Sequence, residues 1–189
     1  MDDAALIALA RRGDAVAFSR LFASFERPLF RYAAHMCGRD AADDIVQETF
    51  LAVLRGSGTY DAGKGTVGGY LFGIARHFVL KGLNAREVGS FDLDEHDEAT
   101  AWPDDTPSAL DSLSREETVQ TVRAAIASLP APYREVVVLC ELQEMSYGDA
   151  AAIVECPIGT IRSRLHRARA LLTTKLAATH AEVALRKSV

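Results

Sequence analysis

The sequence is short of the features that would make it a secreted, metal-binding or membrane protein. Cysteine is scarce, with Cys37, Cys140 and Cys156 the only three, an odd number with no close pair. That argues against a disulfide framework and for a reducing cytoplasm. Each lies in an apolar helical context, where a buried, inert thiol is expected. His35, His77, His96, His166 and His180 are scattered, and none pairs with Cys or Glu at metal-ligand spacing. Cys140 has no candidate base beside it, and no catalytic set is visible, so neither an enzyme nor a cofactor is expected. The glycine-rich stretch at 56–69, GSGTYDAGKGTVGG, lacks the order of a phosphate-binding loop. No apolar run is long enough to span a membrane. The first residues, MDDAALIALARRGD, lack the basic start and apolar centre of a secretory signal.

One further absence is local. Residues 157–175 contain four Arg and one Lys and no acid, inside a chain of net charge −5. At helical spacing Ile161, Leu165, Ala168 and Leu172 form an apolar stripe that needs a core. Thr160, Arg164 and Arg167 occupy the opposite side, flanked by Arg162, Ser163, His166 and Arg169. Upstream, Ser146–Val154 reads as a short helix with Ser146 as N-cap and Asp149 as its reciprocal partner. Glu155-Cys156-Pro157 breaks the pattern, and Pro157 suits the first turn of the next helix. Short helix, tight turn and basic helix form a helix-turn-helix arrangement, whose second helix fits a DNA major groove. A basic solvated face would leave the same pattern.

Charge is unevenly placed. Residues 1–87 carry 11 basic and 10 acidic residues, 88–117 carry one and 10, and 118–189 carry 9 and 6. Two near-neutral or basic segments therefore flank one acidic stretch, which predicts two domains and a linker. The expected fold is all-α: two small helical domains, 1–87 and 118–189, joined by an acidic flexible linker over 88–117.

Within the first segment, helices are expected over 4–12, 15–37, 40–55 and 70–87. Over 40–55, Ile45, Val46, Phe50, Val53 and Leu54 suit burial. Asp44, Gln47, Glu48 and Leu51 then share the other face, and a leucine amid acids suits docking as well as an ordinary wet face. Tyr60 and Lys64 in the glycine-rich loop precede a helix whose Tyr70, Arg76, His77 and Lys81 remain for outside work. Aromatic and basic groups together suit stacking on unpaired bases and pairing with phosphates. The linker holds Pro103 and Pro107 and no sustained periodicity before Ser108. Helices are expected again over 110–128 and 133–142, separated by Leu129-Pro130-Ala131-Pro132. The helical pattern continues from the basic helix into the tail.

These pieces in this order resemble the extracytoplasmic-function (ECF) branch of the sigma-70 family, the initiation subunits of bacterial RNA polymerase. DAADDIVQETF at 40–50 looks like the family's polymerase-binding helix, and YLFGIARHFVL at 70–80 like its promoter-melting helix. LPAPYREVVVL at 129–139 with MSYGDAAAIVECPIGTIRSRLHRARALL at 145–172 looks like its C-terminal DNA-binding module. The resemblance implies that Asp43, Asp44, Gln47 and Glu48 dock on core polymerase. It implies that Tyr60, Lys64, Tyr70, Arg76, His77 and Lys81 sit at the −10 element, and that Thr160, Arg162, Ser163, Arg164, His166 and Arg167 enter the −35 major groove. Core RNA polymerase, promoter DNA and an anti-sigma factor are the implied partners. Three positions depart from the usual pattern: Tyr70 stands for a tryptophan, His77 for an asparagine that helps read a flipped −10 base, and Glu155 for a turn glycine. Two other readings stay open, a sigma-like mimic that sequesters an anti-sigma factor and a stand-alone helix-turn-helix regulator. Neither gives every segment a task.

Overall fold

The computed structural model describes residues 3–56, 60–63, 65–89 and 109–186. Among them every regular element is helical. In order these are α1 (Asp3–Arg11), α2 (Ala15–Cys37), α3 (Arg39–Leu54), α4 (Val67–Gly89), α5 (Ala109–Ala127), α6 (Ala131–Val137) running into a π-helical turn (Val138–Leu142), α7 (Tyr147–Val154) and α8 (Ile158–Arg186). The all-α expectation holds. Most of the expected linker, residues 90–108, and Lys64 lie outside the described residues.

The first four helices pack on one another, with α2 against α1, α3 and α4. Asp14 caps α2, its Oδ1 accepting from the Val16 and Ala17 N–H groups at 2.9 Å. Gly38 alone joins α2 to α3, at φ 85 and ψ 164, a backbone region open essentially to glycine. The core holds Leu21, Leu29, Tyr32, Ile45, Val46, Phe50, Val53, Leu71 and Val79. Phe18 and Phe22 lean on Phe50, ring centroids 5.9 and 4.9 Å apart. Leu54, expected inside, is not, and Val16 is exposed too. Val16 is 65% exposed and Leu54 36%. Val16 lies in the first turn of α2 and Leu54 is the last residue of α3. Helix ends project past the neighbours that cover mid-helix positions.

In the C-terminal part, α8 packs against α5, α6 and α7. Ile161, Leu165 and Ala168 are at most 2% exposed, and Leu172 is half-buried, so the apolar stripe does face a core. Ser146 caps α7 as expected: its Oγ accepts from the Asp149 N–H at 3.1 Å and donates to Asp149 Oδ2 at 2.7 Å. Glu155 ends α7 in the left-handed region, φ 56 and ψ 47. Its N–H and that of Cys156 both donate to the Ala151 carbonyl. Glu144, on the other side of α7, also has a positive φ, 54.

The two groups of helices touch. α7 lies against α4, and α6 against α2. Tyr32, Arg134 and Glu135 make the polar part of that junction. Tyr32 Oη donates to Glu135 Oε1 at 3.0 Å, and Arg76 Nε donates to the same oxygen at 2.9 Å. Arg134 Nη1 donates to the His35 and Met36 carbonyls at 3.5 and 3.2 Å. These carbonyls close the last turn of α2, where intrahelical donors run out.

Candidate nucleic-acid interface

Three faces carry the residues singled out in the sequence. The first is on α3. Asp43, Asp44, Gln47 and Glu48 are all exposed, and Leu51 among them is 39% exposed. The buried residues of α3, among them Ala42, Ile45, Val46, Thr49, Phe50 and Val53, turn the other way. Thr49 keeps its hydroxyl satisfied on the Ile45 carbonyl at 2.7 Å, so its burial leaves no orphan polar group.

The second face is a cleft of about 920 Å³ between α4 and α7. Tyr60, Tyr70, Arg76 and His77 line it, as do Asp61, Asp149, Ala152, Ile153 and Glu155. Four of the six residues expected at the −10 element therefore come together. Lys81 is exposed but does not line the cleft, and Lys64 lies outside the described residues. The Tyr60 and Tyr70 rings meet at a tilt of 57°, their centroids 5.6 Å apart. Tyr70 Oη accepts from Arg11 Nη2 at 2.9 Å, while Arg11 Nε holds the Val53 carbonyl at 2.9 Å. The cleft wall is thus anchored through α1 to the end of α3. His77 is exposed, but the Arg76 side chain is only 18% exposed and bonded to Glu135.

The third face is on α8. Arg162, Ser163, His166 and Arg167 are exposed, and Thr160 and Arg164 half-exposed. Ser163 Oγ donates back to the Thr160 carbonyl at 3.0 Å. Arg169, next along, differs from them. It pairs with Glu141 of the π-helical turn. Hydrogen bonding and attraction from Glu141, with a bond to Tyr147, raise its pKa.

Sequence reasoning missed Glu135 and Tyr32. Glu135 is 4% exposed and Tyr32 fully buried. Burial and the adjacent Glu135 carboxylate push the Tyr32 phenol well above its usual pKa, so it stays a donor. The available signal was a lone carboxylate inside the otherwise apolar run EVVVLC. His35, behind the same junction, is held down to about 4 by burial and by Arg123, Arg134 and Arg31. No group of three or more His, Cys, Asp or Glu among the described residues is arranged to hold a metal ion. No described helix is long and apolar enough to cross a membrane.

Residues 21–88 match sigma-70 region 2, and residues 120–172 match sigma-70 region 4. The ECF RNA polymerase sigma factor SigC of Mycobacterium tuberculosis is 33% identical over 182 residues, covering 89% of each chain. The ECF RNA polymerase sigma-E factor of Haemophilus influenzae is 28% identical over 184 residues, covering 93% of this chain and 96% of its own. Among solved structures, CnrH in complex with the cytosolic domain of CnrY superposes with a TM-score of 0.67 at 26% identity, over 93% of this chain and 97% of that one. The sigma factor RpoE of Bartonella quintana, in complex with the anti-sigma factor NepR, gives a TM-score of 0.67 at 29% identity, over 85% and 96%. Region 2, region 4 and relatives matched over nearly their full length leave one assignment: this chain belongs to the sigma-70 family of RNA polymerase sigma factors, in its extracytoplasmic-function branch.

Proposed function

We propose that the protein is an alternative sigma factor that binds core RNA polymerase through α3, reads a −35 element through α8, and receives the unpaired −10 strand on α4. The observation that carries this reading is the separation of charge between two exposed faces. An acidic face on α3, with Leu51 at its centre, suits a basic protein partner. An acid-free arginine face on α8 suits a polyanion. As a sigma factor the chain is an initiation factor and not an enzyme; RNA synthesis belongs to the polymerase.

Roles follow residue by residue. Asp43, Asp44, Gln47 and Glu48 dock on the polymerase. Arg162, Arg164 and Arg167 contact guanine edges or phosphates in the −35 groove, with Thr160, Ser163 and His166 adding hydrogen bonds. Tyr60, Tyr70 and His77 offer stacking faces, and Lys64, Arg76 and Lys81 charge, to a strand whose unstacking costs a few kcal/mol. The working units are residues 1–87 and 118–189, with 88–117 as tether. The protein acts in the cytoplasm. Solved relatives held by anti-sigma factors support control of this chain by such a partner.

Run-off transcription tests the reading, with bacterial core polymerase and a genomic fragment pool, beside an Asp44→Arg/Glu48→Arg variant. New start sites should require the protein and vanish with the variant. DNA binding without any new start would favour a stand-alone regulator instead.

A further inference from the structure

We propose that a groove between α2 and α5 binds a nucleoside polyphosphate, with Arg27, Arg31, Arg39 and Arg123 on its phosphates and Phe30 and Val122 against its base. The groove is separate from the three faces described above, except that Asp43 of the acidic α3 face also lines it.

The groove has a volume of about 790 Å³, within the range of small-molecule sites. Arg27 and Arg31 stand about one turn apart on α2 and are both exposed, Arg39 opens α3, and Arg123 comes from α5. Glu26 and Asp43 are the carboxylates of the lining, so the four arginines outnumber two acids. His35, also in the lining, reports the field: burial, then Arg123, Arg134 and Arg31, lower its pKa to about 4, so it stays neutral at pH 7. Among the described residues neither Arg27 nor Arg31 has an ion pair. Arg31 Nη2 meets the Gln143 Oε1 at 3.5 Å, and Nε2 of the same amide is buried with no acceptor. Two arginines without a carboxylate, beside a buried donor without an acceptor, point to an occupant rich in acceptor oxygens.

The kind of cation selects phosphate. The lining holds four arginines and no lysine, and a planar guanidinium grips two phosphate oxygens at once where an ammonium is a point charge. The apolar part of the lining selects a base. Val122 and Leu142, which belong to it, are 37% and 36% exposed, surface that a flat ring would cover. The Arg39 guanidinium already lies over the Phe30 ring, 5.8 Å from its centroid, and such a pair presents planar faces to a further ring. Inorganic phosphate would use the arginines and leave the apolar wall bare.

Fluorescence anisotropy of N-methylanthraniloyl-ATP with the full chain tests this, at about 0.15 M salt so that loose surface attraction is screened. Unlabelled ATP should displace the probe, and inorganic tripolyphosphate should compete about tenfold less well, because it has no base to stack. Arg31→Ala should weaken binding about tenfold and Arg27→Ala/Arg31→Ala about a hundredfold. Both positions are exposed, so the variants should keep their circular dichroism and Tm. Val122→Asp, on the α5 side, should also weaken binding about tenfold. Arg162→Ala/Arg167→Ala, on the basic face of α8, should bind like the native chain. Absence of binding at about 1 mM ATP would overturn the site. Equal competition by tripolyphosphate would overturn the nucleotide as its occupant. Loss in the α8 pair but not in the α2 pair would overturn the location, and so would loss in the α2 pair with Val122→Asp unchanged. None of these readouts involves polymerase or promoter DNA, so the proposed transcription role stands or falls separately.

Discussion

Replacing Glu155 by glycine should make the protein more stable, although it removes a side chain. Glu155 sits at φ 56 and ψ 47, where its Cβ crowds the following carbonyl. A non-glycine residue there costs roughly 1–2 kcal/mol. Glycine avoids that cost but loses about 0.5–1 kcal/mol more backbone entropy on folding. The net gain is about 0.5–1 kcal/mol, or roughly 1–4 °C in Tm for a chain of this size. Glu155 also lines the cleft beside α4, so losing its carboxylate has electrostatic effects of its own. Glu155→Ala removes that complication, since Ala and Gly both lack the charge and differ mainly in backbone preference. Thermal and urea unfolding followed by circular dichroism should rank Gly above Ala, with Ala near the native Glu. Equal stability of the Ala and Gly variants would refute the argument, because it would mean the turn stores no left-handed strain. Glu144→Gly, at φ 54, should behave the same way.

Further measurements bear on the core, the junction and the basic face. Leu165→Ala empties a site 2% exposed between α8 and its neighbours, and should cost about 3 kcal/mol in urea unfolding. His35, at about 4 in the folded chain against 6.5 when unfolded, binds its proton more readily in the unfolded state. Stability from it is therefore present above pH 6.5 and lost as pH falls towards 4. His35→Gln should reduce the stability lost between pH 7 and 4.5 by about 2 kcal/mol, and an identical loss in both proteins would remove His35 as the cause. Arg162→Ala and Arg167→Ala, both at exposed positions, should leave Tm unchanged. Each should lower the salt dependence of duplex binding by about one counterion, read as the slope of log affinity against log salt.

The C-terminal module was the most legible part, because its signals are local. Ser146 and Asp149 are three residues apart, and the Ile161–Leu165–Ala168 stripe recurs at helical spacing, so neighbours in sequence decide the structure. The exposed face of α3 was legible for the same reason: once Ile45, Val46, Phe50 and Val53 are inside, Asp44, Gln47 and Glu48 must be outside. What periodicity does not contain is the junction between the two helical groups. Arg76 reads as an exposed cation on α4, and only the fold brings Glu135 to it. The π-helical turn was also hidden, since Gln143 N–H donates to the Val138 carbonyl where a regular helix would reach one residue less far back.

Gly38 sets where chain length can vary. One residue serves as the end of α2 and the start of α3. An insertion there would turn α3 about its axis by roughly 100° per residue. Ile45 and Val46 would leave the core and the acidic face would enter it. Homologous chains should therefore keep this corner at fixed length and place their insertions elsewhere. Anyone grafting a sensor or a tether into this protein should leave the α2–α3 corner alone, even though it lies at a helix boundary, where insertions are ordinarily accommodated.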